Sequence, residues 1–214
     1  MKKVFASIIF ILTLAFSVEA QEEIQATKHL ESIVLGSGCF WGEEKRYEAI
    51  SGVVEAVSGY ADGRGVLPNY REITKIKNKF NPNNHAEVVL VVFNRNIVSA
   101  EDILKHYFEG HDPTQVNRQG NDIGTQYRSV ILTTNNQQNV IAKKLLDEFQ
   151  VLMSKHGYGK IVTKIKQLEK FYYAEDYHQD YLVKNPNGYC PDHSTGLVFK
   201  ENKNFVETDN TLLL

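Results

Sequence analysis

The chain has 214 residues, with 24 Lys and Arg against 26 Asp and Glu and a formal net charge of −2. It is long enough to bury the core of one globular domain, and a charge so near zero gives no electrostatic reason to expect nucleic acid or an anionic membrane surface as a partner. Its two cysteines, Cys39 and Cys190, are too few for a disulfide-rich scaffold and have no neighbours at zinc-finger spacing.

The first twenty residues open with the basic "MKK", continue through the uncharged apolar run "VFASIIFILTLAFSV" and end in "VEA", which places Val18 and Ala20 where a signal peptidase reads. The run is short for a membrane span, which needs about 20 apolar residues. Residues 1–20 are therefore expected to be a secretory signal peptide, with an uncleaved N-terminal anchor as the alternative. The protein is expected to be exported, periplasmic or extracellular, with no stable membrane association. Residues 21–31 are polar and predict a short tether, leaving 32–214 as a single domain.

Within the domain, "SIVLGSG" predicts a strand running into a glycine turn. Residues 41–50, "WGEEKRYEAI", predict a helix with Glu43 and Glu44 in its first turn, where the helix dipole favours acids. "GVVEAVSGYA" alternates like a strand, "DGRGVLPNY" and "NKFNPNNH" are loops, and the valine-rich "AEVVLVVFN" is the strongest strand pattern. "SAEDILKHYFEG" predicts a helix capped by Ser99 and closed by Gly110. "YRSVILTT" and "IVTKIKQL" read as strands, and "NQQNVIAKKLLDEFQVLMSKHG" between them as the longest amphipathic helix. "AEDYHQDYLVKN" predicts a short helix stopped before Pro186. The order, βαββαβαβ, defines an α+β fold, a two-layer α/β sandwich with helices packed on one sheet. The polar loop at 110–126 is longer than compact domains keep without a use. It holds Asp112, Asn117, Arg118, Gln119, Asn121, Asp122 and Gln126, with Tyr127 following.

Cys39 falls at a helix N-terminus, where free backbone N–H groups favour a thiolate. Glu43 and Glu44 oppose this by adding negative charge. Position alone leaves two readings open, a reactive thiol and a buried structural cysteine; in an oxidising compartment the two cysteines would also suit a structural disulfide. Phe40 and Trp41 suit either a core or a site for a small sulfur-bearing group, since sulfur packs well against ring edges.

The blocks "GCFWGEE", "NYREI", "HAEVVLVVF", "HDPTQVNRQGNDIGTQYRS" and "YYAEDYHQDYLVKNPNGYC" occur in this order from about Ile33 to Cys190. Together they resemble the A-type peptide methionine sulfoxide reductases. The resemblance implies a ferredoxin-like α/β sandwich with a mixed, mainly antiparallel sheet. It implies reduction of the S epimer of methionine sulfoxide, free or in oxidised proteins, one enzyme serving each epimer of this lesion. By the same resemblance Cys39 is the nucleophile, Glu87 the acid and Cys190 the resolving cysteine. Tyr70 and Tyr127 hydrogen-bond the sulfoxide oxygen, Phe40 and Trp41 cup the methyl group, and Asp122 orients water or substrate. No cofactor is bound; a thioredoxin-like protein or another dithiol is the external reductant, and the protein acts as a monomer. Read without the resemblance, Glu87 is a strand-edge carboxylate, Tyr70 and Tyr127 are strand aromatics, and Asp122 is a turn former.

The chain departs from the family pattern between Tyr70 and His85, where "TKIKNKFNPNN" replaces a shorter Gly/Thr-rich stretch. The tail after Cys190 is unassigned; His178 and His193 are candidates for a place near the site, against the commoner structural or solvated histidine, with no metal constellation. Two other functions use the same cysteines: a two-cysteine thiol peroxidase or redox sensor, and an exported binding domain with a permanent Cys39–Cys190 disulfide.

Overall fold

The computed structural model describes residues 28–189 and 191–199. The predicted signal peptide, most of the tether, Cys190 and the end of the tail lie outside the described residues. Among the described residues eight strands and five helices follow in the order β1 (Leu30–Gly36), α1 (Phe40–Glu48), β2 (Val53–Ala61), α2 (Tyr70–Ile73), β3 (Ala86–Asn94), α3 (Ala100–Glu109), β4 (Arg118–Gln119), β5 (Asp122–Ile123), β6 (Val130–Thr133), α4 (Asn136–Lys155), β7 (Lys164–Gln167), β8 (Phe171–Tyr173) and α5 (Tyr181–Lys184). Single 3-10 turns lie at Ile76–Asn78 and Thr125–Tyr127.

Six strands form one sheet in the order β7-β6-β1-β3-β2-β8. All neighbours are antiparallel except β6 and β7, which α4 joins as the crossover a parallel pair needs. The central four, β6-β1-β3-β2, with α1 and α3 as crossovers, give the βαββαβ arrangement expected for a ferredoxin-like sandwich. β3 sits at the centre because its valine-rich run is apolar on both faces. Val89, Val91 and Phe93 meet Ile33, Leu35, Ala56 and Tyr60 in the main core with α1, α3 and α4. Val88 and Ala86 join Val34, Ala61, Val130 and Leu132 in a smaller cluster on the other face. Side chains alternate along a strand, so Glu87 falls on the helix-covered face with Val89. The register pairs it with Tyr60 of β2.

Several boundaries differ from expectation. β1 begins at Leu30, inside the predicted tether, because Leu30 and Glu31 continue the β3 ladder opposite Asn94 and Phe93. The predicted loop before residue 71 ends in α2, whose N-cap Asn69 accepts the Glu72 N–H at 2.9 Å. The long loop at 110–126 contains the β4–β5 hairpin and the start of a 3-10 turn. β8 was not expected, and the predicted helix at 174–185 is reduced to α5 because Asp180 adopts a left-handed φ of 51° that breaks it on the N-terminal side. Among the described residues no helix is long and apolar enough to cross a membrane.

Candidate active site

The turn after β1 sets the thiol in place. A Cβ on Gly36 would lie 2.9 Å from the Glu87 carbonyl oxygen, so only glycine allows β1 to end this close to β3. Gly38 turns the chain at φ +118°. Cys39 is then the extended N-cap residue of α1, with a free, half-buried thiol. Burial pushes that thiol far above its usual pKa, and the negative charges of Glu87 and then Asp122 add to the rise. The Trp41 and Gly42 amides at the helix N-terminus oppose it without reversing it. The thiol is therefore protonated in the resting protein. The expected acidic pressure from Glu43 and Glu44 has another source: Glu43 is paired with Arg46 at 2.8 Å, and Glu44 accepts the Ser58 and Asp180 N–H groups at 3.0 and 2.9 Å.

Cys39 opens into a cavity of about 110 Å3 shared with Phe40, Trp41, Tyr70, Glu87, Asp122, Tyr127 and Tyr189. All the predicted site residues within the described structure thus meet at one place. Glu87 is only 1% exposed. One of its oxygens accepts the Phe40 N–H at 3.3 Å, while the other is buried without a partner. Burial raises this carboxyl to about 8, with the Asp122 charge adding to the rise and the Phe40 amide opposing it. Glu87 is therefore an acid that holds its proton at neutral pH, not a strand-edge surface carboxylate.

Tyr70 and Tyr127 are not strand residues. Tyr70 opens α2, and its N–H donates to Glu175 at 2.9 Å; Tyr127 ends the 3-10 turn begun by Thr125. Burial, then the Glu87 charge, raises both phenols, Tyr70 to about 12 and Tyr127 further, so both are hydrogen-bond donors at working pH. Asp122 belongs to β5 and accepts the Tyr189 hydroxyl at 3.3 Å, with His193 Nε2 at 3.8 Å from its other oxygen.

The apolar wall is built from behind. The Trp41 indole N–H donates to His178 Nδ1 at 3.0 Å, and its ring stacks on Tyr181 at 3.9 Å. His178 in turn lies against Phe40 and Tyr70, with ring centroids 4.9 and 4.6 Å away. His178 is buried beside the site, where the sequence left it open between the site, a structural place and solvent. Glu175, Tyr181, Tyr189 and Arg128 were not singled out as site residues. The signal available for the first three was their common block, "YYAEDYHQDYLVKNPNGYC", dense in aromatic and acidic residues. A second cavity of about 180 Å3 touches Cys39 from the side of Ser37, Glu43, Arg46 and His193. Cys190 itself lies outside the described residues. Its neighbours flank the thiol, Tyr189 in the first cavity and Pro191 in the second. Among the described residues no group of three or more His, Cys, Asp and Glu side chains is arranged to hold a metal ion.

A helix-terminal thiol, a protonated carboxyl and two phenols around one small aromatic-walled cavity can attack a soft atom while protonating an oxygen bound to it. That chemistry marks a thiol-dependent oxidoreductase. The sequence matches the family described as "Peptide methionine sulfoxide reductase" over residues 31–209. It is 48% identical over 164 residues to the mitochondrial peptide methionine sulfoxide reductase of Rattus norvegicus, covering 77% of this chain and 68% of the rat protein. Methionine sulfoxide reductase A of Corynebacterium diphtheriae superposes with a TM-score of 0.70 at 40% identity, covering 84% of each chain. Mxr1 from Saccharomyces cerevisiae in complex with Trx2 shares the fold, with a TM-score of 0.51 at 24% identity over 78% of this chain and 89% of that one. The chain belongs to the peptide methionine sulfoxide reductase family, and its activity is the thiol-dependent reduction of the S epimer of methionine sulfoxide to methionine.

Proposed function

We propose that Cys39 attacks the sulfoxide sulfur while Glu87 protonates the oxygen. Attack forms a bond between Cys39 Sγ and the substrate sulfur. The protonated oxygen then passes to Sγ, so that the Sγ–O bond of a sulfenic acid forms as the substrate S–O bond and the sulfur–sulfur bond break and methionine leaves with the electron pair. Cys39 is oxidised by two electrons and the substrate sulfur reduced by two. The oxygen takes the Glu87 proton, and the proton lost by the thiol restores Glu87. Tyr70 and Tyr127 donate to the oxygen as its charge develops. Phe40 and Trp41 pack the methyl group, and Asp122 with Tyr189 borders the substrate backbone. The observation that carries this reading is the partnerless, buried oxygen of a protonated Glu87 in the same small cavity as Cys39.

The Cys190 thiol then displaces hydroxide, which leaves as water, and a Cys39–Cys190 disulfide forms. A thioredoxin-like dithiol reduces it. Supporting this, the residues on either side of Cys190 border the cavities that reach Cys39, and the yeast relative is known in complex with Trx2. The N-terminal pattern of residues 1–20 supports export, which makes oxidised proteins outside the cytoplasm the natural substrates beside free methionine sulfoxide.

The test is turnover of the two separate epimers with dithiothreitol or thioredoxin by the wild type, Cys39→Ser and Cys190→Ser. Cys39→Ser is expected to be inactive. Cys190→Ser is expected to release one methionine per enzyme and then stall with thioredoxin. Full multiple turnover of Cys190→Ser with thioredoxin would remove Cys190 from the cycle. Edman sequencing of exported protein starting at Gln21 would support cleavage; an intact Met1 on cytoplasmic protein would refute export.

A further inference from the structure

The three groups that face the sulfoxide oxygen in this reading come from three separate segments: Glu87 from β3, Tyr70 from α2 and Tyr127 from the 3-10 turn Thr125–Tyr127. Something must set their spacing. The stretch between α2 and β3 holds a hydrogen-bonded asparagine cluster. Asn84 is 5% exposed. Its side-chain amide donates to the Ile73 carbonyl at 2.9 Å, at the end of α2. Its other hydrogen is shared between Thr125 Oγ1, at the start of the turn that carries Tyr127, and the Asn78 carbonyl, both at 3.3 Å. Asn84 itself stands three residues before Glu87, at the foot of the same strand.

The neighbours complete the brace. The Thr125 N–H donates to the Lys79 carbonyl at 2.8 Å, and its hydroxyl to the Asn78 carbonyl at 3.0 Å. The Asn78 amide donates to the Glu72 carbonyl within α2 at 2.8 Å. Elsewhere each tyrosine turn is tied to the body separately: Glu175 accepts the Tyr70 N–H, and Arg128 donates to the Thr125 carbonyl at 2.7 Å. Among the described residues Asn84 touches both turns through its side chain, and it stands just before the strand of Glu87. Its acceptors require a nitrogen with two hydrogens, which a carboxylate lacks.

We infer that Asn84 is a positioning residue for the reduction step, holding the Tyr70 and Tyr127 hydroxyls at fixed reach from the Glu87 carboxyl. This rests on the reading that both phenols donate to the sulfoxide oxygen. Donors aimed at developing charge act only in the right place, and a misplacement of about 1 Å costs on the order of a hundredfold in rate.

The test is a double-mutant cycle on single-turnover methionine formation, with Asn84→Ala and the isosteric Asn84→Asp measured in the wild type and in Tyr70→Phe/Tyr127→Phe. Iodoacetamide alkylation of Cys39 and the melting temperature report folding. Asn84→Ala is expected to lower the rate about tenfold, and Asn84→Asp by at least as much, with Cys39 alkylation unchanged. In the double-phenylalanine background the same changes are expected to cost less than about twofold, because the groups they position are gone. An equal loss in both backgrounds, or no loss in the wild type, would overturn the inference. If Tyr70→Phe/Tyr127→Phe alone keeps full activity, the reading of the tyrosines fails instead, and with it the premise of the brace.

Discussion

Glu87 is the residue on which the proposed chemistry turns, and its buried carboxyl gives two pH signatures. Its carboxyl sits at about 8 in the folded protein against an ordinary value of 4.5. Between those values the folded state binds more protons than the unfolded one, so this group lowers stability progressively as pH rises from 4.5 to 8. Glu87→Gln removes that penalty. The variant is expected to match the wild type in urea midpoint at pH 4 and to exceed it at pH 9; a smaller midpoint at pH 9 would contradict a protonated resting Glu87. The catalytic signature runs the same way. Wild-type single-turnover reduction is expected to fall as pH passes about 8, while Glu87→Gln is slower by about 10²–10³ and has no such limb. Trp41 makes a different contribution, since its indole N–H is held by His178 and its ring by Tyr181. Trp41→Phe loses that anchor and part of the apolar wall, and is expected to raise KM about tenfold with kcat largely kept, as steady-state kinetics on the S epimer would read.

At the scale of elements, the best-read segments were those whose signals are local. β3 coincides with "AEVVLVVFN", and α3 is capped as expected: Ser99 accepts the Asp102 N–H at 3.1 Å while Asp102 accepts the Ser99 N–H at 3.2 Å. This capping box makes a clean control. Ser99→Ala is expected to cost about 1 kcal/mol, or about 2–4 °C in melting temperature by calorimetry, without changing turnover. The segments that were misread draw their structure from distant contacts. β8 is three residues paired with Gly59–Ala61 of β2, too short for any alternation to register. α2 is a single turn whose entry depends on Glu175, 105 residues away. The same division applies to the site. The identities of Cys39, Glu87, Tyr70, Tyr127 and Asp122 were legible from motif blocks. Their supports Glu175 and Arg128 were not, because they act across the fold; His178 was noted, with its place near the site left open. Arg128 shows this most directly: its guanidinium spans Asp62 at 3.0 Å and the Thr125 carbonyl at 2.7 Å, linking the residue that follows β2 to the turn of Tyr127.

For the whole molecule, the sandwich serves to hold one end of the sheet open and everything else closed. The helix-covered core fixes β1, β3 and α1, and the polar end of the sheet gathers the thiol, the acid and the phenols. The tail, which the sequence left unassigned, belongs to this design. Phe199 is 8% exposed and lies 5.0 Å from the Phe149 ring of α4 and 6.4 Å from Phe108 of α3, while its N–H donates to Glu109 at 2.8 Å. At the other end of this stretch the Tyr189 hydroxyl is held by Asp122. The described residues Tyr189 and Phe199 on either side of the proposed resolving thiol are thus anchored, which would limit the entropy lost in the proposed disulfide step. Phe199→Ala removes one anchor and a ring from the core edge. It is expected to lower stability by about 2–4 kcal/mol in urea unfolding. Because the first cavity does not involve Phe199, the burst of methionine is expected to survive, while the disulfide forms more slowly in a quenched-flow thiol assay. A disulfide step as fast as in the wild type would mean that the Asp122–Tyr189 contact alone suffices to present the second thiol.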